Sequence, residues 1–115
     1  MHSTDADSPI EIDARTVHAK LQEPRDFLLL DCREPQEHAT ANIVGAKLVP
    51  MSRLADSLQE LEAFRDCQIA VHCHHGGRSL KVARWLREQG FAKAQSMAGG
   101  IDQWSLEIDG TVPRY

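Results

Sequence analysis

The sequence contains no long apolar stretch and no excess of basic residues, and each absence excludes a class of function. The longest apolar run is Phe27–Leu30, far short of the ~20 residues that a membrane-spanning helix needs. The formal net charge is −4, whereas a nucleic-acid-binding module is expected to carry a basic surface. We therefore predict that the protein binds neither a membrane nor a nucleic acid.

Export signals and paired cysteines are also missing. Residues 1–7 read MHSTDAD, without the cationic stretch or the apolar segment of a secretory signal, and we therefore expect a cytoplasmic protein. The three cysteines, Cys32, Cys67 and Cys73, form no C-x-x-C pair of the kind found in zinc or thioredoxin-type sites. They are expected to be reduced thiols, one of which is a candidate for reactivity.

The length of the chain and the absence of a linker or a repeat indicate a single domain. At 115 residues the chain has the size of one domain, and a chain of this size can bury a core without disulfides or metal. No linker or repeat divides the sequence. We expect a flexible N-terminal segment over residues 1–8 and one domain over residues 9–115.

Short apolar runs alternate with amphipathic stretches along the domain, which is typical of strands alternating with helices. Strands are predicted at Ile10–Ile12, Phe27–Leu30, Ala46–Val49, Gln68–His72 and Ala94–Met97. Three helices are predicted from their start signals: one from the N-cap Asp13 through Leu21, one beginning at Pro35, and one from the N-cap Ser52 through Leu61. Two more are predicted around glycines: one over Ser79–Gln89 that ends at Gly90, and one from Gly99-Gly100 through Trp104. The alternation predicts an α/β fold with a mostly parallel central sheet of about five strands and helices on both faces.

The segment Cys73–Ser79 follows directly on a predicted strand and precedes a predicted helix. In an open α/β sheet, ligands bind beyond the carboxyl ends of the strands. A thiol at this place faces backbone N–H groups and the positive end of a helix dipole, which both favour the thiolate. Cys73 is therefore a candidate nucleophile.

The other residues of this loop have the chemistry of an anion pocket. Gly76 and Gly77 permit a tight turn and present no side chain to an approaching anion. Arg78 adds a permanent cation with paired donors suited to a sulfonate or a phosphate. His74 and His75 could add polar contacts.

These residues carry a resemblance to a known family. The loop CHHGGRS resembles the active-site loop of the rhodanese family of sulfurtransferases, whose pattern is close to C-x-x-G-x-R-S. Three further segments match the family in the same order, namely Leu30–Glu37 (D-x-R-x-x-x-E), Ile43–Ala46 (I-x-G-A) and Gly99–Trp104 (G-G-x-x-x-W). Many members have G-H-I where this chain has Ala41-Asn42-Ile43, and we expect this departure to affect local structure more than activity. The chain thus resembles a single-domain rhodanese-like sulfurtransferase.

The resemblance implies a mechanism by covalent catalysis. The Cys73 thiolate attacks the outer sulfur of a donor such as thiosulfate, forms a persulfide and releases sulfite, and an acceptor such as cyanide, a thiol or a protein then takes the sulfur. Cys73 is implied as catalytic, with Arg78 orienting the donor's sulfonate and with no metal and no organic cofactor. The residues implied to bind substrate are His74, His75, Gly76, Gly77, Arg78 and Ser79.

The implied partners are a small sulfur-containing anion as donor and, as a possible acceptor, a sulfur-acceptor or sulfur-carrier protein. The ending Ile108–Tyr115, together with the His74-His75 pair, resembles rhodanese domains found beside or fused to adenylating enzymes that charge sulfur-carrier proteins. That resemblance suggests delivery of sulfur to thiamine, molybdopterin or thiolated-tRNA pathways.

Two other function classes remain open. Cysteine phosphatases carry an H-C-x5-R loop, but only four residues separate Cys73 from Arg78, and the shorter loop suits a sulfur atom better than a phosphoryl group. A non-catalytic rhodanese-like binding or regulatory module commonly lacks the cysteine, which this chain keeps.

The remaining cysteines and the histidines beside the loop are expected to be structural. Cys32 and Cys67 are predicted to be packing or exposed thiols, with the alternative that Cys32 accepts sulfur from Cys73 as a relay. His72 is predicted to point away from Cys73, because neighbours in a strand face opposite sides. Four adjacent residues cannot easily surround a zinc ion, so no metal site is predicted.

For the charged residues near the loop, the sequence allows two interpretations, one structural and one functional. Asp31 and Arg33 are expected to form a structural ion pair, with Arg33 alternatively contacting substrate at the pocket mouth. Arg78, Lys81, Arg84 and Arg87 are expected to lie on a solvated surface, with a funnel for anionic donors or a docking patch for an acidic partner as the alternative.

Overall fold

The computed structural model describes residues 9–23 and 25–115. The predicted flexible segment, residues 1–8, lies outside the described residues. The five strands are β1 (Glu11–Ile12), β2 (Phe27–Asp31), β3 (Lys47–Leu48), β4 (Gln68–His72) and β5 (Ala94–Met97). The α-helices are α1 (Ala14–Gln22), α2 (Pro35–Thr40), α3 (Leu58–Leu61), α4 (Gly77–Glu88) and α5 (Gly100–Glu107).

All five strands pair in parallel in the order β1-β5-β4-β2-β3. The predicted parallel α/β fold is therefore confirmed. Strand β4 is the central strand, and it pairs with β2 so that Leu29 is opposite Ala70 and Asp31 is opposite His72. Because their carboxyl ends are in register, whatever follows Asp31 lies beside whatever follows His72.

The helix boundaries follow local chemistry at most ends. The side chain of Asp13 caps α1 by accepting the N–H of Thr16 at 2.8 Å, and Pro35 is the first residue of α2, as the sequence predicts. Helix α4 begins at Gly77, two residues before the predicted start at Ser79, so its first turn includes part of the Cys73–Ser79 loop. Gly90 follows α4 with a φ of +98°, the left-handed backbone conformation that favours glycine at a helix end.

The predicted continuous helix from Ser52 through Leu61 is wrong. The segment consists of 3-10 turns at Met51–Arg53 and Ala55–Ser57, the single turn α3, and a further 3-10 turn at Glu62–Phe64. Ser52 does not cap it, because the Ser52 hydroxyl donates to Glu34 Oε1 at 2.8 Å. The Ser57 hydroxyl donates to the carbonyl of Arg53 at 2.9 Å, a local bond that competes with regular helix. Leu54 and Leu61 are nevertheless buried, so the apolar spacing predicted the buried face but not the backbone.

Apolar side chains cover both faces of the sheet. Residues of α4, such as Val82 and Leu86, pack on one face with Leu30 and Val71. Residues of α1 and α5 pack on the other face with Leu29 and Ala70. Within the described residues, no helix is long and apolar enough to cross a membrane.

Candidate active site

The loop after β4 turns sharply into α4 and places Cys73 at the sheet edge. Gly76 is the N-cap of α4 and has a φ of +112°, a conformation that costs a residue with a side chain roughly 1–2 kcal/mol. A Cβ at Gly76 would lie 3.4 Å from the backbone N of Gly99, whereas a Cβ at Gly77 would meet nothing within 4 Å. The turn therefore requires glycine at position 76, and Gly77 borders open space beside the loop.

The sulfur of Cys73 receives hydrogen bonds from this loop. The backbone N–H groups of Gly76 and Ser79 donate to Sγ at 3.1 and 3.3 Å. The Ser79 hydroxyl lies 3.4 Å from Sγ and 2.7 Å from the hydroxyl of Ser96. When Ser96 donates to Ser79, the single Ser79 proton is shared between the sulfur and the carbonyl of Gly76 at 3.2 Å. These groups all favour a negative charge on Sγ.

A second thiol adjoins Cys73. Cys32 follows β2 as Cys73 follows β4, and the register of the two strands makes the two cysteines neighbours. Hydrogen bonding from the Cys32 thiol is the largest cause that lowers the pKa of Cys73 to about 4, with the contacts from Ser79 and Gly76 adding to it against the opposing effect of burial. The same bond, followed by burial, raises the pKa of Cys32. The pair therefore holds one thiolate at Cys73 and one protonated thiol at Cys32.

The residue Cys73 is only 1% exposed and lies at the edge of the apolar cluster that α4 covers. A buried thiol without polar partners would have a raised pKa. Here the contacts from Cys32, Ser79 and Gly76 together outweigh that effect, so the burial keeps solvent from the sulfur without neutralising it.

Helix α5 holds the loop backbone in place. The N–H groups of Ile101 and Asp102 donate to the carbonyl oxygens of Cys73 and His74 at 2.8 and 3.2 Å. Gly100 has a φ of +60°, and a Cβ there would lie 2.4 Å from the His74 oxygen. Only glycine allows so close an approach, so the G-G-x-x-x-W segment supports the loop that carries Cys73.

Arg78 is bound to a carboxylate in this structure. Its Nη1 and Nη2 donate to the two carboxylate oxygens of Glu37 at 2.7 and 2.8 Å. Glu37 also accepts the hydroxyl of Tyr115 at 2.9 Å. The bond from Arg78 is the main cause that lowers the pKa of Glu37 to about 2. The predicted contact between Arg78 and a donor anion therefore has to compete with Glu37.

The two histidines of the loop form a ring stack at its outer side. The ring of His74 stacks on His75 and on Tyr115, with centroid distances of 3.9 Å to each. The side chain of His75 is 67% exposed and lies 4.0 Å from Asp102. The polar contacts of these histidines with a substrate stay a prediction.

The predicted ion pair between Asp31 and Arg33 is present and fully buried. Arg33 Nε and Nη2 donate to the two oxygens of Asp31 at 2.9 and 2.8 Å. Arg33 also donates to the carbonyl of Ala41 at 2.6 Å, which ties in the segment that departs from the G-H-I pattern. With 0% exposure, Arg33 cannot reach a donor at the pocket mouth.

His72 lies beside Asp31, with Nε2 3.9 Å from Oδ2, on the side of the strand opposite Cys73. Burial lowers the pKa of His72 to about 4, so the ring is neutral at physiological pH. In residues 9–23 and 25–115, no group of three or more His, Cys, Asp or Glu side chains is placed to hold a metal ion.

The cationic residues along α4 are partly engaged in the fold. Arg87 Nε donates to the carbonyl of Ala94 at 2.7 Å, and its Nη2 donates to the carbonyl of Pro9 at 3.1 Å. Arg78 is paired with Glu37, as described above. Of the four cations predicted to lie on a solvated surface, Arg78 and Arg87 are therefore bound to other groups of the fold. Lys81 and Arg84 are left for the alternative, attraction of an anionic donor or an acidic partner.

Three parts of the site go beyond the main sequence predictions. The sequence predicts Cys32 chiefly as a packing or exposed thiol, with a relay as the alternative, and it assigns no role to Ser96 or to the Tyr115 side chain. The position of Cys32 after a strand was a usable signal, because the ends of neighbouring parallel strands lie side by side. Ser96 and Tyr115 gave no such signal.

The two loop glycines offer a matched comparison. We expect Gly76→Ala to lower the free energy of unfolding by about 1–3 kcal/mol and to raise the pKa of Cys73, because the Gly76 N–H turns away from the sulfur. Gly77→Ala should leave both nearly unchanged, since its Cβ enters open space. Denaturant unfolding and the pH dependence of Cys73 alkylation measure the two effects. Equal behaviour of the two variants would contradict this account of the turn.

The fold and the loop define a class of protein, an α/β domain that presents an acidic cysteine at the end of a central parallel strand. The model of the rhodanese-like domain matches residues 13–107. The chain therefore belongs to the rhodanese-like domain family.

Known relatives and solved structures agree with this membership. The chain is 32% identical over 95 residues to a sulfurtransferase of Allochromatium vinosum, covering 83% of this chain and 87% of the relative. It superposes on the human single-domain sulfurtransferase TSTD1 with a TM-score of 0.77 and 25% identity, covering 87% of this chain and 98% of that one.

Other relatives are much longer than this chain. It is 33% identical over 93 residues to an adenylyltransferase and sulfurtransferase of Zea mays, covering 76% of this chain but 19% of that protein. Across several such curated relatives, the chain spans 19 to 37% of their length.

Proposed function

We propose that this chain is a sulfurtransferase in which Cys73 carries the transferred sulfur as a persulfide. The observation that carries the proposal is the pair of N–H groups, from Gly76 and Ser79, that donate to Cys73 Sγ at the start of α4. Such an arrangement stabilises a thiolate, which is the nucleophilic form of cysteine. The sulfurtransferase names of similar proteins support the same class of reaction.

In the first step, the Cys73 thiolate attacks the outer sulfur of a donor such as thiosulfate. A bond forms between Sγ and the outer sulfur, the bond between the donor's two sulfurs breaks, and sulfite leaves with the electron pair. In the second step, an acceptor such as cyanide or a thiol attacks the outer sulfur of the persulfide, and Cys73 leaves as a thiolate.

The same hydrogen bonds serve both steps. Thiols of low pKa leave faster in exchange at sulfur, and the contacts from Cys32, Ser79 and Gly76 lower the pKa of Cys73 to about 4. The sulfur that is available as a nucleophile at neutral pH is thus also a good leaving group when the acceptor attacks.

We propose Arg78 as the ligand of the donor's anionic group and the loop from His74 to Ser79 as the remaining substrate-binding surface. Binding a sulfonate through Arg78 requires the guanidinium to exchange Glu37 for the donor or to share its donors between them. A guanidinium has five N–H donors, and two of those on Arg78 are used by Glu37.

A sulfur-acceptor or sulfur-carrier protein is proposed as the physiological acceptor. A relative that is named adenylyltransferase and sulfurtransferase combines the two activities in one protein, and this supports an acceptor that is charged by adenylation. The cytoplasmic location and the pathway served stay predictions.

The phosphatase alternative is less well supported. Four residues separate Cys73 from Arg78, one fewer than in the H-C-x5-R loop of cysteine phosphatases. Hydrolysis of p-nitrophenyl phosphate that depends on Cys73 would favour this alternative.

The experiment that tests the proposal is intact-mass analysis after incubation of the reduced protein with thiosulfate, 3-mercaptopyruvate or inorganic polysulfide. The protein is measured immediately after loading. We expect a gain of one sulfur atom that peptide mapping places on Cys73, and we expect the cyanide assay to show turnover. Absence of both would favour a non-catalytic binding module.

The pH dependence of Cys73 reactivity is a separate prediction. Because the pKa of Cys73 is about 4, its alkylation rate should stay constant from neutral pH to about pH 5 and fall as the pH drops through 4, whereas an ordinary thiol has a pKa near 8.5. Cys32→Ala should shift this midpoint upward because it removes the largest stabilising contact, and Cys32→Ser should shift it less because a hydroxyl can still donate. The control Cys67→Ser should not move the midpoint, and an equal midpoint in wild type and Cys32→Ala would contradict the prediction.

A further inference from the structure

Two thiols end neighbouring strands on the same face of the sheet. Asp31 and His72 are register partners, so Cys32 and Cys73 are the next pair along the two strands. The N–H of Cys32 donates to the carbonyl of His72 at 3.1 Å, which extends the ladder past the last assigned residues. Both cysteines belong to one apolar cluster, together with the alternate strand residues Leu28, Leu30, Ile69 and Val71.

The spacing of such a pair suits a covalent bond between the sulfurs. Neighbouring strands lie about 4.8 Å apart, and the Cα atoms of disulfide-bonded cysteines are about 4.4–6.8 Å apart. Both cysteines are free thiols here, and each is close enough to shift the pKa of the other. A bond between them therefore needs rotation of side chains rather than movement of strands.

We propose that Cys32 is a resolving cysteine, which attacks Cys73 Sγ in the persulfide, forms a Cys32–Cys73 disulfide and releases the outer sulfur as hydrosulfide. This inference rests on the proposed persulfide of Cys73. It adds a second outcome to the reaction: the stored sulfur leaves as sulfide instead of passing to an acceptor.

The step balances without an external oxidant. A bond forms between the sulfurs of Cys32 and Cys73, and the bond between Sγ and the outer sulfur breaks with its electron pair on the outer sulfur. The Cys32 thiol proton moves to that leaving sulfur, so the product is HS⁻. The outer sulfur is reduced by two electrons while the two cysteine sulfurs are oxidised to a disulfide, which a small thiol or a dithiol protein then reduces.

The environment of Cys32 supports this role over that of a sulfur relay. The proton that Cys32 loses on becoming the attacking thiolate passes to the outer sulfur, which therefore leaves as HS⁻ and not as a doubly charged sulfide ion. The contact that Cys32 makes is with Sγ, the inner sulfur of the persulfide.

The role of Cys32 also gives the reaction a dependence on reductant. When an acceptor is present, it competes with Cys32 for the persulfide. When acceptor is absent, each loaded protein releases one sulfide and stops as the disulfide until a thiol restores it. The protein then turns over as a thiol-dependent sulfide producer.

The test follows one loading cycle in wild type and Cys32→Ser, with Cys67→Ser as the matched control. Reduced proteins are loaded with thiosulfate, or in a parallel arm with inorganic polysulfide, which needs no donor pocket, and are then desalted and left without acceptor. Released sulfide, protein mass and the peptides of a non-reducing digest are measured over time.

In wild type and Cys67→Ser, we expect one equivalent of sulfide, loss of the extra sulfur mass, and a peptide that joins Cys32 to Cys73. In Cys32→Ser, the sulfur should stay on Cys73 and sulfide release should fall at least about tenfold. Equal retention of sulfur in wild type and Cys32→Ser, or sulfur found on Cys32, would overturn the resolving role while leaving the proposed sulfurtransferase intact. Failure of polysulfide to load any of the proteins would overturn both.

Discussion

Replacing Cys73 with serine is expected to abolish sulfur transfer while leaving the fold intact. Serine is close to cysteine in size and can still accept the N–H groups of Gly76 and Ser79, so the loop keeps its packing. Its hydroxyl is not ionised at neutral pH, and it cannot form a persulfide. We expect the rate with thiosulfate and cyanide to fall by a factor on the order of 10³ or more, as when a covalent nucleophile is removed.

The matched control for this variant is Cys67→Ser. Cys67 is a partly exposed free thiol in the turn before β4, so it tests whether losing any cysteine matters. Cys67→Ser should keep wild-type turnover, and both variants should unfold at nearly the wild-type temperature. Substantial turnover in Cys73→Ser would show that another group carries the sulfur.

The largest effect on stability is expected for Asp31→Ala. This change leaves the Arg33 guanidinium buried without its carboxylate, and breaking a buried ion pair from one side typically costs about 3–5 kcal/mol. The pKa of Asp31 lies at about 2, held down chiefly by the bonds from Arg33 against the opposing effect of burial, so the pair is charged throughout the neutral range. Denaturant unfolding at neutral pH measures the loss.

A double variant separates the pair from its surroundings. Asp31→Ala with Arg33→Leu removes both charges together, and we expect it to recover part of the stability that Asp31→Ala loses. The pH dependence gives a second check: the stabilisation by Asp31 is present above its unfolded pKa near 3.9 and is lost as the pH falls towards 2. A loss below about 1 kcal/mol in Asp31→Ala would be that of an exposed pair and would contradict the buried arrangement.

The sheet and most helices could be predicted from the sequence because each element has a local cause. Phe27–Leu30 is continuously apolar because β2 is buried on both faces, and Asp13 and Pro35 have chemistry suited to helix starts. The segment after Ser52 could not be predicted as it is. The spacing of its leucines predicts which side chains face the core. Because a helix and successive 3-10 turns can bury the same leucines, the spacing does not distinguish the two backbone structures.

The candidate site divides in the same way. The order Cys73, Gly76, Arg78 predicts a loop with a nucleophile, because these residues are neighbours in the chain. The ion pair of Arg78 with Glu37 and the non-covalent contact of Cys32 with Cys73 both join residues about forty apart in sequence. They depend on the register of β2 with β4, which composition and periodicity do not specify.

The docking of α5 onto the Cys73–Ser79 loop makes the reactivity of Cys73 depend on a segment far along the chain. Until Ile101 and Asp102 are synthesised and packed, the carbonyls of Cys73 and His74 lack the N–H groups that hold them in the folded protein. We therefore expect the acidic cysteine to form only once α5 has packed against the loop, so that a nascent chain does not present an activated sulfur.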